Sequence, residues 1–306
     1  MKQINLVLVM LLLSALASAQ KTNHKLQAKL EEAIKGFNGQ VGVYVKELKT
    51  GKTVVINADT LFPTASIVKV PILVGVIDKI ERKELSYDSL HEYKDSLLYA
   101  GEDILGSFKD GEKIYLEKII MLMLTMSDNT ASLWLQKLSG TGTRINEILD
   151  SLGFQHTRVN SRTPGREANR SVFGWGQTTP REIARLFEMI YRHQIFSPAS
   201  CENMLRYLGR NFWDENAVSQ IPPYIQVFSK NGAVNEVRSE VLLVNAPHNP
   251  YIFCIFTKNN KDHSWRSDNE AWQLARKTSK LVWDYFEPKD KWESAKYDRD
   301  FHAIKP

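Results

Sequence analysis

Little cysteine, no clustered histidine and no long apolar run beyond the first residues: each lack removes a class of protein. Cys201 and Cys254 are the only cysteines among 306 residues. Two do not make a disulfide framework. Cys254 lies in the apolar run Tyr251-Ile252-Phe253-Cys254-Ile255-Phe256, so both are read as buried free thiols. The seven histidines are scattered, with no pair at metal-ligand spacing. No zinc or other metal site is therefore expected, and nothing calls for a cofactor. Charge of one sign is scarce too: 40 Lys and Arg face 35 Asp and Glu, a formal net charge of +5. No basic stripe with interleaved aromatics appears, which argues against nucleic acid as a partner. After the N-terminus no stretch is apolar and long enough to cross a bilayer, so no membrane span is expected in the mature chain. Internal repeats and low-complexity segments are absent from the sequence.

What is present starts with an export signal. Lys2, the apolar run Leu6 to Leu13 and the small residues Ala17-Ser18-Ala19 read as a signal peptide over 1–19, with a mature chain from near Gln20. No Cys follows the run to carry a lipid. A secreted, periplasmic location is expected, and a monomer. Roughly 285 residues remain, enough for a large core. Leu26, Leu30, Ala33, Ile34 and Phe37 recur at helical spacing, with Gly36 to end the helix. Val41 to Val45 and Thr53 to Ile56 read as a hairpin. From Ser66 to Leu208 the pattern becomes helices and polar loops. Leu116 to Met126 reads as one helix, Ala131 to Leu138 as another, and Thr179-Pro180 opens a third. Strand patterns return at Ile225 to Phe228, Val237 to Val244 and Tyr251 to Thr257. A closing helix spans Ser267 to Tyr285. The order predicts an α+β fold: one antiparallel sheet flanked by terminal helices, plus an all-helical part. In residue terms, one catalytic domain covers 20–288, its α/β part 20–62 and 220–288 and its helical part 63–219. A polar tail follows over 289–306.

Three short motifs carry chemistry. In Ser66-Ile67-Val68-Lys69 the first and last residues share a helix face, so Lys69 can reach Ser66 Oγ. A serine hydroxyl becomes a good nucleophile when a neighbouring base takes its proton. Alone the pair is weak, because Ser and Lys three apart are common by chance. Ser127-Asp128-Asn129 lies between two apolar helices. It reads equally well as helix capping. Lys230-Asn231-Gly232-Ala233 ends a predicted strand and, taken alone, reads first as a hairpin turn.

Order and spacing change that balance. Ser66 and Ser127 are 61 residues apart, and Ser127 and Lys230 are 103 apart. Here the sequence resembles the class A β-lactamases and their penicillin-binding relatives, whose motif set is S-x-x-K, S-D-N and K-T-G at nearly the same intervals. Phe62-Pro63-Thr64-Ala65-Ser66, Met126 to Ala131, Leu152-Gly153 with Thr157-Arg158, and Thr178-Thr179-Pro180 extend the likeness over Leu26 to about Tyr285. The resemblance implies a β-lactamase/transpeptidase-like fold and a β-lactam or peptidoglycan peptide as substrate. It implies Ser66 as nucleophile, Lys69 as its base or proton relay, and Ser127 as donor to the leaving nitrogen. Asn129 would bind the substrate's side-chain amide, and Lys230 with Asn231 its carboxylate. The backbone N–H groups of Ser66 and Ala233 would form the oxyanion hole. Arg238, eight residues after Lys230, lies near the family's second carboxylate-binding Arg; its bland reading is a solvated surface residue. Tyr99 is a candidate aromatic wall at the site mouth.

Two departures bear on turnover. Asn231 stands where the family has Thr or Ser. The omega loop, Thr157 to Pro180, matches the family's interval of 23 residues, yet Thr163 holds the position of the deacylating Glu. Glu167, four residues later, is the expected replacement base; otherwise it is a loop carboxylate paired with Arg162, Arg166 or Arg170. The resemblance thus implies a β-lactam hydrolase, and the altered loop implies slow turnover. The alternatives are a penicillin-binding D,D-peptidase or other cell-wall serine hydrolase, and a non-catalytic ligand-binding relative.

Overall fold

The computed structural model describes residues 21–99, 101 and 104–294; the expected signal peptide at 1–19 lies outside them, and the tail is described as far as Ser294. Helix α1, His24–Ala33, starts where the Asn23 side chain accepts from the Leu26 N–H at 3.2 Å, and buries Leu26, Leu30 and Ala33. A side-chain cap satisfies an N–H that the helix cannot. Strands β1, Gln40–Glu47, and β2, Thr53–Ile56, pair antiparallel as the expected hairpin.

The helical excursion follows. It runs through β3 (Phe62–Pro63), a 3₁₀ turn (Ala65–Val68), α2 (Lys69–Glu81), β4 (Leu90–Glu92), β5 (Lys113–Tyr115) and α3 (Leu116–Met121). It continues through α4 (Asn129–Leu138), α5 (Thr141–Ser151), β6 (Arg158–Val159), α6 (Glu167–Phe173), β7 (Gly176–Thr178), α7 (Pro180–Tyr191) and α8 (Pro198–Leu208). The chain then returns to the sheet as β8 (Val227–Val234), β9 (Val237–Val244) and β10 (Tyr251–Lys258), and closes with α9 (Glu270–Phe286). The five-stranded sheet has the order β2-β1-β10-β9-β8, with every neighbouring pair antiparallel. Both terminal helices pack together. The fold is α+β, an antiparallel sheet with the terminal helices on one face and the helical part on the other.

Strand alternation divides the interior. On β10, Phe253 and Ile255 face α1 and α9, in a core with Leu26, Leu30, Val282 and Trp283. Ile252, Cys254 and Phe256 face the helical part, in a core with Ile72, Val74 and Leu149. Helix α2 is buried without a break from Lys69 through Ile77, so its ring of apolar residues suits a central helix. Cys201 and Cys254 are free and buried. Burial pushes the Cys254 thiol well above its ordinary range.

Three details depart from the sequence reading. The segment Leu116 to Met126 is not one α-helix: α3 stops at Met121 and a π-helical turn spans Leu122–Met126. Two small sheets, β3-β7-β6 and β4-β5, lie within the part read as helical; strands of two or three residues are too short to show a period. Lys230 to Ala233 lie inside β8, and the chain reverses later, between Val234 and Val237, with Asn235 at φ +43°.

Trp283 is fully buried between α9 and the sheet. Trp283→Ala should lower unfolding free energy by about 3–5 kcal/mol, measured by urea titration; a loss below about 1 kcal/mol would show that α9 is not integral to this core.

Candidate active site

Ser66 sits in the 3₁₀ turn before α2, preceded by Ala65 at φ +44°. A non-glycine residue in the left-handed region is uncommon and is found where surrounding contacts enforce it. The Thr64 N–H donates to Gly176 O on β7 at 2.9 Å, which fixes the approach to the turn. Lys69, one turn on, opens α2 and is fully buried. Its Nζ lies 3.0 Å from Ser66 Oγ, 3.0 Å from Ser127 Oγ and 2.9 Å from Asn129 Oδ1, and it also donates to Ser127 O. Ser127 O and Asn129 Oδ1 can only accept, whereas the two hydroxyls can donate or accept. The cradle therefore suits the amine both as a donor to the two pure acceptors and as a partner of either serine O–H.

The π-helical turn sets the second wall. Ser127 ends it at φ +61°, and π turns mark functional sites more often than chance. Asp128 is the cap of α4: Oδ1 accepts from Ala131 N at 2.7 Å, and Oδ2 from Ile104 N and Leu105 N at 2.6 and 3.0 Å. The capping reading thus holds for Asp128, while Ser127 and Asn129 both contact Lys69.

β8 supplies the third wall. Lys230 is fully buried; its Nζ lies 3.2 Å from Ser127 Oγ, 3.1 Å from Asn231 Oδ1 and 3.0 Å from Asn231 O. Gly232 brings the strand against the Ser66 turn. A Cβ there would fall 2.5 Å from Thr64 O and 3.0 Å from Ser66 N, a separation only glycine permits. Asn231, Gly232 and Ala233 line one cavity with Ser66 and Ser127.

That cavity extends to residues the sequence reading did not single out. Trp213, Glu215, Glu240, Trp265 and Trp272 also line it. Glu240 is on β9, opposite Asn231. Burial pushes its carboxyl up to about 8, against the pull of the Ala217 and Val218 N–H groups that donate to it at 2.8 and 3.3 Å. A lone Glu in the apolar strand Val237 to Val244 was the available signal. Trp213 Nε1 donates to Met126 O at 3.0 Å, joining this wall to the π-helical turn.

The other candidates fall into place differently. Arg238 is no solvated surface residue: it is 3% exposed and lines the cavity. Its guanidinium lies 4.4 and 4.9 Å from the ring centres of Trp265 and Trp272, and donates to the carbonyls of Asn235, Val237 and Ser264. Glu167 is not brought to the cavity. It opens α6, is exposed, and its carboxylate accepts from Gly165 N at 3.2 Å. The ungapped count puts it on the right loop, but the start of a helix there turns it outward. Among the described residues it forms no ion pair with Arg162, Arg166 or Arg170. Thr163 is buried, donates to Ser161 O at 2.9 Å and packs on Gly142 of α5. Tyr99 pairs edge-on with Trp175, centroids 4.9 Å apart, and its N–H donates to Thr130 Oγ1.

With this geometry in view, the chain can be set beside known proteins. A model of the β-lactamase enzyme family matches residues 25–286. β-Lactamase VEB-1 of Pseudomonas aeruginosa is 25% identical over 299 residues, covering 93% of this chain and 98% of that protein. β-Lactamase ROB-1 of Haemophilus influenzae is 24% identical over 270 residues, 84% of this chain and 85% of that one. Among solved structures, a point mutant of PBP-A in an acyl-enzyme complex with penicillin G superposes with a TM-score of 0.78 at 22% identity, covering 88% of this chain and 98% of that one. A β-lactamase from Sphaerobacter thermophilus gives 0.76 at 23% identity, with 86% and 97% covered. At those identities the structural likeness speaks for the fold.

Gly232→Ala should force β8 away from the Ser66 turn. The rate of covalent labelling by an acylating β-lactam, followed by intact-protein mass, should fall at least ten-fold, about the effect of misplacing reacting groups by an ångström or less. Labelling at the wild-type rate would show that this close approach plays no part.

Proposed function

Because the chain belongs to the β-lactamase enzyme family, we propose that it opens β-lactams through an acyl-enzyme on Ser66 and releases the product slowly. The observation that carries this reading is the position of the Lys69 amine between Ser66 Oγ and Ser127 Oγ, with the Lys230 amine on the far side of Ser127. In the proposed reaction Lys69 takes the Ser66 proton as Oγ adds to the lactam carbonyl. The Ser66 and Ala233 N–H groups receive the oxyanion. As the C–N bond breaks, Ser127 gives its proton to the ring nitrogen and regains one from Lys69. Lys230 and Asn231 hold the substrate carboxylate, Arg238 adds its field from the cavity wall, and Asn129 meets the side-chain amide. The segment 1–19 supports export of the chain, and no helix among the described residues is long and apolar enough to cross a membrane.

Slow release rests on the omega loop. Hydrolysis of the acyl ester needs a base beside its water. Thr163 is a buried hydroxyl turned to Ser161, and Glu167 is exposed. A penicillin-binding D,D-peptidase is the second reading, and the same feature favours it. It would form the same adduct and keep it.

The experiment is stopped-flow mixing with a chromogenic cephalosporin. A burst of about one equivalent per chain should precede a much slower steady state, as when deacylation limits turnover. Glu167→Gln should leave both phases unchanged; a selective loss of the slow phase would restore Glu167 as the deacylation base. Lys230→Ala should slow acylation by a β-lactam carboxylate about a hundred-fold more than by its ester, since a desolvated ion pair is the interaction removed. Equal losses for both substrates would make Lys230 structural.

A further inference from the structure

The cavity at Ser66 continues past the edge strand β8 to a wall the acylation chemistry does not use. Glu240 forms part of it. This glutamate is buried, faces Asn231 across the β8–β9 pair, and is pinned by the Ala217 and Val218 N–H groups. Asn231 Oδ1 accepts from the Lys230 amine, so the carboxyl sits directly behind the pair proposed to receive the substrate's anion. Charged groups reach it from each neighbouring element. Glu215 reaches it from the segment before Ala217 and Arg276 from α9, while Lys230, whose side chain leaves the other face of β8 toward Ser127, acts on it through its field. Arg238 shares its strand and, two residues away, its face.

We propose that Glu240 sets the charge preference of this cavity: uncharged, it admits substrates bearing a carboxylate, and ionised, it turns them away while leaving uncharged esters little affected. The proposal rests on the acyl-enzyme reading above and deepens it.

The electrostatics run in one direction. With Glu240 neutral, Arg238 on the wall and Lys230 and Arg276 behind it outweigh Glu215, and the field on this side of the cavity is positive. Burial keeps the carboxyl protonated up to about pH 8. Above that, a negative charge appears across the strand pair from Asn231, in a site where water screens little. The two backbone N–H bonds hold the new carboxylate in place, so the charge cannot swing away to solvent. Affinity for an anion therefore falls as pH rises through 8. A neutral ligand has no charge for the new carboxylate to oppose.

The test separates binding from turnover. Ser66→Ala removes the nucleophile, and calorimetry then gives its affinity for penicillin G and for penicillin G methyl ester from pH 6 to pH 9.5. The acid-to-ester affinity ratio should fall about ten-fold across pH 8, and adding Glu240→Gln should flatten that profile. A ratio independent of pH, or a fall that survives Glu240→Gln, overturns the proposal, as does failure to bind the acid at any pH. Should Glu240→Gln not fold, carboxyl-carbon NMR of glutamate-labelled protein decides: no buried glutamate titrating near 8 overturns it. Wild-type protein mixed with penicillin G tells the two failures apart. Absence of any adduct defeats the acyl-enzyme reading, whereas an adduct with a flat affinity ratio defeats only the role of Glu240.

Discussion

The structure depends on one hydroxyl shared by two buried amines. Ser127 Oγ lies within hydrogen-bond reach of both Lys69 and Lys230, and both lysines are wholly buried. Burying an amine is costly unless its protons are placed. Here carbonyl, amide and hydroxyl oxygens from three separate places in the chain meet them: the 3₁₀ turn before α2, the Ser127–Asn129 junction between the π-helical turn and α4, and β8. Removing any of these walls would leave a buried donor unmet, so the fold and the proposed proton path are the same set of contacts.

Local backbone features enforce this meeting. Ala65 and Ser127 both take positive φ without being glycine, and each is tied down by what surrounds it. Asp128 spends both carboxylate oxygens on backbone N–H groups from α4 and from Ile104 and Leu105, which stops the π-helical turn from relaxing. Gly232 lets β8 approach the serine turn closely. The two-faced sheet supports all of this by packing α2 on one face and α1 with α9 on the other.

Much of this is legible in the sequence alone. The intervals between Ser66, Ser127 and Lys230 already pointed to three elements converging, because none of these motifs means much alone. Apolar periods marked the terminal helices and the sheet, since burial on one face leaves a regular trace. What stayed hidden depended on geometry without a period. Lys230-Asn231-Gly232 looks like a turn because Asn-Gly favours one; register against β9 overrides that preference and moves the reversal to Asn235. Glu167 could be counted onto the omega loop, but its outward aim is set by where α6 begins. Arg238 could not be known to lie between Trp265 and Trp272, residues 27 and 34 positions downstream. Glu240 was visible only as a charge in an apolar strand, and its partners come from a segment more than twenty residues away.

The central claim is that these amines make Ser66 the acylated residue. It is tested most directly by incubating the protein with penicillin G, quenching in acid, and mapping the modified peptide by tandem mass spectrometry. The account predicts one adduct per chain, on Ser66. No adduct, or one on any other residue, would contradict it.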